Sequence, residues 1–266
     1  YHNAFASIYE GRYLAGVAAG MKLNEMIDSG KIKAEEAVIG YVGAFPYAEV
    51  VSGYTSFFLG ARSICPSATM KVRYTSSWYN ETDEKVAAET LINVDKCVLI
   101  SQHADSMGAP NACEVKGVPN VSYNGSTVAS CPDTFIISSA IDWSPYFYHM
   151  IDCKVNNKTL EKNWCGDIAT GSVVLSAING KAAAPGTVKK IQEVAAKLKD
   201  GTLHVFDTAT FTVNGAKVTT YLADVVDNGD YVGETEVIKD GYFSESTFRS
   251  APYFDLRIDG ITELNK

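Results

Sequence analysis

The 266 residues are 46% hydrophobic and 20% charged, the balance of a chain that folds around a core and does not stay disordered. The formal net charge is -8 and the pI about 5.1. With no Lys/Arg cluster in the chain, nucleic acid is excluded as a partner, because phosphate recognition needs a basic stripe. No apolar run approaches the roughly 20 residues that a membrane-spanning helix requires.

In chain order, Tyr9 to Asn24 reads as an Ala/Gly-rich helix with no strand before it. Ile39-Gly-Tyr-Val42 is a short apolar run ending in the turn Gly43-Ala-Phe-Pro46. Val50, Val51, Tyr54, Phe57, Phe58 and Ala61 then recur at helical spacing, which makes a first βα unit. Lys71 to Thr75 alternates as a strand does and precedes the loop Ser76-Ser-Trp-Tyr-Asn80. Asp83 opens a helix with Val86, Ala87, Leu91 and Val94 on one face. Cys97 to Ser101 is a third strand, running into Gln102-His-Ala-Asp-Ser106 and a weakly helical stretch. Val118 to Tyr123 and Phe135 to Ser139 are strands four and five. Ser144 to Asp152 and Thr187 to Lys199 read as helices, and Leu203 to Phe206 as a strand.

Strands alternating with helices of this length imply a mostly parallel sheet with helices on both faces, since parallel neighbours need a crossover of about a dozen residues or more. The expected organisation is one α/β lobe over residues 37–142. Residues 1–36 and 143–266 are then parts of a second lobe that the chain leaves and re-enters.

Five loops that follow strands carry unusual residues: Phe45; Trp78 and Tyr79; Gln102, His103, Asp105 and Ser106; Asn124; and Asp142 with Trp143. In open α/β sheets the carboxyl edge is where ligands bind. Aromatic walls with a few convergent amides and carboxylates describe a site for a flat polar molecule, held by stacking and read at its edge by hydrogen bonds. Any one Trp or Phe at a strand end is more often core, but five such loops on one edge favour a site. A Ser/His/Asp triad at 103–106 is discounted, because neighbours on one loop rarely reach triad geometry and no G-x-S-x-G elbow exists. The expected protein is therefore not an enzyme.

The six cysteines, Cys65, Cys97, Cys113, Cys131, Cys153 and Cys165, form no C-x-x-C pair, which argues against a zinc or thioredoxin-type centre. Disulfides or inert buried thiols remain, with Cys153 and Cys165, which bracket a short polar loop, the favoured bridge. A metal on His103, Asp105 and Asp142 is disfavoured because no second histidine accompanies them. No cofactor and no metal are expected. N-x-S/T triplets at Asn80, Asn120, Asn124 and Asn157 are read as chance, two of them overlapping the candidate site.

Taken together, IYEGRYLAGVAAG (Ile8 to Gly20), IGYVGAFPYAEVVSG (Ile39 to Gly53), SSWYN (Ser76 to Asn80), SQHADS (Ser101 to Ser106), SYNGS (Ser122 to Ser126) and IDWSPYF (Ile141 to Phe147) resemble, in order, the basic membrane protein family of substrate-binding lipoproteins. The resemblance implies a two-lobed type I periplasmic binding fold and an extracytoplasmic protein, lipid-anchored as a precursor. It also implies a purine base or nucleoside as ligand and an ABC importer permease as partner. Another small polar ligand, a sugar or a signalling molecule feeding a receptor, is the alternative.

Compared with the family's nucleoside receptors, the aspartate expected on ribose falls at Asn124 and a lysine after the fifth strand falls at Asp142. The Gly-rich loop after the third strand is here Ala104-Asp105-Ser106-Met107. These changes favour either a free base or a different ligand over a nucleoside. The chain opens on Tyr1, which reads as a processed or truncated product. By the resemblance, two or three leading βα units of the first lobe are expected to lie outside it, leaving an exposed sheet edge or one filled by a separate N-terminal fragment.

Overall fold

The computed structural model describes residues 2–226 and 229–265. In chain order the elements are β1 (Asn3–Ala6), α1 (Ile8–Asp28), β2 (Val38–Gly43), α2 (Ala48–Ile64), β3 (Thr69–Tyr74), α3 (Glu81–Asn93), β4 (Leu99–Gln102), α4 (Gly108–Lys116), β5 (Asn120–Tyr123) and β6 (Phe135–Ile141). There follow α5 (Ser144–Val155), β7 (Asn163–Gly166), β8 (Val173–Leu175), α6 (Thr187–Lys199), four two-residue strands, β9 (Leu222–Ala223), β10 (Thr235–Glu236), β11 (Ile238–Lys239) and β12 (Tyr242–Phe243), and lastly β13 (Ile261–Glu263).

Seven strands form one sheet in the order β13-β3-β2-β4-β5-β6-β8, parallel except for β8, which runs antiparallel to β6. Alternation along β2 assigns its side chains to two cores. Ile39 and Tyr41 join α1 and α2 on one face, whereas Val42 joins Ala88 and Leu91 of α3 and Ala109, Ala112 and Cys113 of α4 on the other. Helices therefore cover both faces, the α/β architecture expected from the alternation of elements. The chain reverses direction across the sheet at β2, with β3 to one side and β4 to the other. Such a switch point opens a crevice at the carboxyl ends of the strands.

Two helices owe their contact to glycine. A Cβ on Gly16 would lie 2.0 Å from the Phe57 carbonyl oxygen, and one on Gly60 2.0 Å from that of Tyr13. α1 and α2 thus cross backbone against backbone, which only residues without a side chain allow.

The expected lobe boundaries do not coincide with breaks in packing. α1, grouped at the outset with the flanks, lies against α2, β6, β8 and α6, while β8 and β13 complete the seven-stranded sheet. From the flanks, β1 and β7 pair parallel to each other as a separate two-stranded sheet, with α5 beside β7. Neither β1 nor β7 pairs with a further strand among the described residues.

Three local expectations need correction. The first helix, read as having no strand before it, follows directly on β1 (Asn3–Ala6), whose pairing partner β7 lies about 160 residues away and so leaves no local signal. Leu203 to Phe206 forms no strand. Its residues lie in turn and loop conformation, where Val205 and Phe206 point into the core and Phe206 stacks on Phe254 with ring centroids 4.1 Å apart. Apolar alternation there reports burial under a loop and not a ladder. Cys153 and Cys165 are not bridged, and all six cysteines are free thiols. α5 turns Cys153 toward His149, while β7 turns Cys165 toward Ser7 at the end of β1. Burial pushes the thiols of Cys131 and Cys165 up to about 11 and that of Cys97 up to about 12, which leaves them as inert packing groups.

Candidate ligand-binding site

All five candidate loops leave the carboxyl ends of parallel strands: Phe45 after β2, Trp78 and Tyr79 after β3, residues 102–106 at and after β4, Asn124 after β5, and Asp142 with Trp143 after β6. The parallel sheet thus gathers residues separated by nearly a hundred positions onto one edge.

At the switch point the edge is aromatic. Phe45 stacks on Tyr47 with centroids 5.0 Å apart and planes 9° from parallel, and Trp78 leans on Phe45 at 5.4 Å. Trp78 also meets His103 edge-on at 6.5 Å, and His103 lies 4.2 Å from the Tyr123 ring. Trp78 and Trp143 each keep 38% of their surface exposed, so both have ring area free for a ligand. Tyr79 is 67% exposed and adds no ring contact to the cluster.

His103 is 1% exposed. Its ring is seated against α2 at Gly53, where a Cβ would come within 2.6 Å of Nδ1. Nδ1 is 3.3 Å from the Tyr41 hydroxyl, and Nε2 is 3.8 Å from Glu49 Oε1, longer than a hydrogen bond. Burial holds the imidazole below its ordinary value despite Glu49, while His103 holds the Glu49 carboxyl low. At neutral pH the pair is a carboxylate beside a neutral imidazole. The partners of His103 are thus Tyr41, Glu49 and Tyr123, and not Ser106 and Asp105 as a triad would require.

Asp105 is exposed, and its backbone N–H donates to the Trp78 carbonyl at 3.0 Å. One loop is thereby tied to the other. Asn124, also exposed, sits at φ 61° with its N–H on the Ser139 carbonyl at 2.9 Å. Asn is one of the few side chains that tolerate this left-handed geometry.

Asp142 Oδ1 accepts from the Ser144 N–H at 2.8 Å. It thereby satisfies the first N–H of α5 from one residue ahead of the N-cap Trp143, and hydrogen bonding with Ser144 holds its carboxyl below the ordinary value. Gln102 and Ser106 do not reach the edge. Gln102 is 2% exposed and its Oε1 accepts from Asn120 Nδ2 at 2.9 Å on the α3/α4 face. Ser106 Oγ accepts from the Gly108 N–H, and its own N–H donates to Glu84 at 3.1 Å, which fixes the entry to α4.

The sequence reading missed the group beneath this edge. Arg12 of α1 is fully buried and, among the described residues, has no carboxylate partner. Its guanidinium donates to Ser101 Oγ at 2.7 Å, and to the Tyr41 hydroxyl and the Ser122 carbonyl at 3.2 Å each. It lies 4.8 Å from the Phe57 ring centre, 5.5 Å from that of Tyr41 and 5.6 Å from that of Tyr123. A cation on three aromatic faces is stabilised without an anion, and here it braces α1, β2, β4 and β5 under the aromatic edge. The signal was available, since a single arginine inside an Ala/Gly helix has no solvent-facing explanation. Tyr47 and Glu49, at the start of α2, and Tyr123, the last residue of β5, join this edge without having been singled out from the sequence. A cavity of about 400 Å³ lined by Tyr13, Arg62, Lys197, His204 and Asp207 lies away from these loops.

The parallel sheet, its switch point and the helices on both faces define a type I periplasmic-binding-protein-like fold. The chain belongs to the family of ABC transporter substrate-binding proteins described as PnrA-like, whose model matches residues 3–207. It is 30% identical over 204 residues to a purine-binding protein of Brucella abortus, covering 76% of this chain and 53% of that one. It is 38% identical over 140 residues to a candidate ABC transporter glucose-binding protein of Haloferax volcanii, covering 53% of this chain and 33% of that one. The chain therefore spans about half or less of the length of these relatives. Among solved structures, an ABC transporter solute-binding protein from Aeropyrum pernix K1 superposes with a TM-score of 0.61 at 14% identity, covering 76% of this chain and 65% of that one. No helix among the described residues is long and apolar enough to cross a membrane.

Proposed function

We propose that the protein is an extracytoplasmic solute-binding component of an ABC importer that captures a flat, polar ligand, a purine base before a nucleoside, at the carboxyl edge of the seven-stranded sheet. It works with a permease, is lipid-anchored as a precursor, and catalyses no reaction on its ligand. The observation that carries the reading is the run of rings from Tyr47 through Phe45, Trp78 and His103 to Tyr123 at the switch point. A planar heterocycle stacks on such faces whatever its ring substituents, for about 1 to 3 kcal/mol per base by analogy with single-stranded nucleic-acid sites.

Discrimination then falls to groups that read the ring edge. Asp105 accepts but cannot donate when ionised, which suits an exocyclic amine or a ring N–H, and Asn124 supplies the complementary donor. Gln102, buried with its Oε1 accepting from Asn120, does not present its amide at the edge for that part. Trp143 lies at the end of β6 and offers a further face. In this reading the β1/β7 pair with α5 is the root of the second lobe, which closes over the ligand. The 30% identity to a purine-binding protein supports purine as the ligand class.

The second reading, a sugar, draws on the relative named for glucose. Both are tested by calorimetric titration of the protein with adenine, hypoxanthine, guanosine, adenosine and glucose. Binding of a free base tighter than its nucleoside, with glucose inert, is the expected result. Glucose binding with inert purines would transfer the site to sugars, and conversion of any ligand would overturn the non-enzymatic reading.

A further inference from the structure

Away from the carboxyl edge, α5 presents His149 and Cys153 one helical turn apart, the i, i+4 spacing that puts two side chains on one face. The loop after α5 returns Glu161 to the same place. His149 Nε2 is 2.7 Å from Glu161 Oε2 and 3.7 Å from Cys153 Sγ, and the three ligand atoms all lie within 4.8 Å of one another. His2, just before β1, holds its Nδ1 2.9 Å from the Glu161 carbonyl oxygen, so a fourth donor side chain stands at the rim. Among the described residues no other His, Cys, Asp and Glu group is drawn together in this way.

We propose that His149, Cys153 and Glu161 form a zinc-class metal site, with His2 or water as the fourth ligand. The donor set is the reason. Thiolate, imidazole and carboxylate together suit Zn²⁺, and tetrahedral bonds of about 2.0 to 2.3 Å put neighbouring donors about 3.3 to 3.6 Å apart. The sulfur and nitrogen stand close to that separation already. Glu161, now hydrogen-bonded to the imidazole, moves outward by about half an ångström to admit the ion. Binding releases the Cys153 thiol proton, and a neutral His149 carries its own proton on Nδ1 while ligating through Nε2, with no redox step.

The surroundings fit a structural role. Cys153 is the only buried residue of α5, and the helix packs on little besides β7 of a two-stranded sheet. Units this small cannot build a sufficient core and commonly gain a metal or a cross-link instead. An ion held by α5, the 156–162 loop and the start of β1 would fasten that unit together.

Titration of the reduced protein with zinc chloride, in buffer free of phosphate and chelator, tests the site. The expected result is one ion per chain, bound at micromolar concentration or below, and weakened at least tenfold by Cys153→Ser and by His149→Gln. His2→Ala weakens it less. Cobalt(II) gives an independent signature: the parent should show a sulfur-to-cobalt charge-transfer band in the near ultraviolet that Cys153→Ser abolishes. No stoichiometric zinc binding, or binding that survives both substitutions with the cobalt band absent, would reduce the cluster to a hydrogen-bonded group. Ligand titration at the sheet edge is read separately, so failure here leaves the solute-binding reading untouched.

Discussion

α1 and α5 are opposite solutions to placing a helix beside a sheet. α1 buries most of its length, including Arg12, between α2 and the seven-stranded sheet, and its glycines let two backbones touch. α5 buries Cys153 alone and leaves Phe147, Tyr148, Ile151 and Val155 exposed. The first arrangement fixes the strand ends so firmly that the loops above them can carry unusual residues without moving. The second leaves its element dependent on whatever is added to it. Rigidity under the candidate ligand site and openness around the α5 cluster are thus two consequences of how much surface each helix covers.

The largest effect should come from breaking the α1–α2 contact. Gly60→Val sets a branched side chain against the Tyr13 backbone, and because the atoms it meets are main chain and cannot rotate away, the helices must separate. A loss of more than about 4 kcal/mol is expected, read as failure to show a cooperative urea transition. A normal transition would mean that the two helices do not cross as described.

Next in size are the edge residues, which should affect ligand and not fold. Trp78→Ala should weaken purine binding about tenfold to a hundredfold across all bases, and Asp105→Ala should weaken most the bases that present an N–H or amine to it. Both should leave the urea midpoint within about 0.5 kcal/mol of the parent. Equal affinity in parent and both variants would remove the ligand from this edge.

Gln102→Ala sharpens the contrast in the other direction. It strips Asn120 Nδ2 of a buried acceptor, for about 1 to 3 kcal/mol of stability, with ligand affinity measured by calorimetry changed less than twofold or so. A large affinity loss with intact stability would return Gln102 to the site.

A further expected effect concerns pH. Burial pushes the Glu245 carboxyl up to about 8 and that of Glu10 up to about 7, from an ordinary 4.5. The folded state then binds more protons than the unfolded one across that window. The stability these groups contribute is complete at acid pH and is lost as pH rises toward 8. His103 has the opposite sign: held below its ordinary 6.5 by burial, it costs stability as pH falls below that value. Glu245→Gln should flatten the alkaline decline in urea midpoint between pH 5 and about 8. An unchanged slope would assign the decline to other groups.

Much of the seven-stranded layer was legible in the chain. The apolar runs at Ile39 to Val42, ending in turn residues, and at Phe135 to Ser139 read as strands, and the helical segments between the strands imply a parallel sheet. The same alternation implied that Phe45, Trp78, His103, Asn124 and Trp143 would share one edge, and they do. The ordered motifs carried the family, which the match over residues 3–207 bears out.

The sequence alone determined that the segments of β2 to β6 become parallel strands and which edge collects their following loops, since period and crossover length act locally. Tertiary structure decided the rest. It turned Gln102 and Ser106 inward, because their pairing with Asn120 and Glu84 depends on strands and helices distant in the chain. It brought Arg12 under three rings and packed α1 on the sheet across the expected lobe boundary. It left Leu203 to Phe206 as a buried loop, because a strand needs an open neighbouring edge as well as a pattern. It also set Cys153 against His149 and away from Cys165: which side chains meet depends on the direction in which each element points, and no spacing along the chain records that direction.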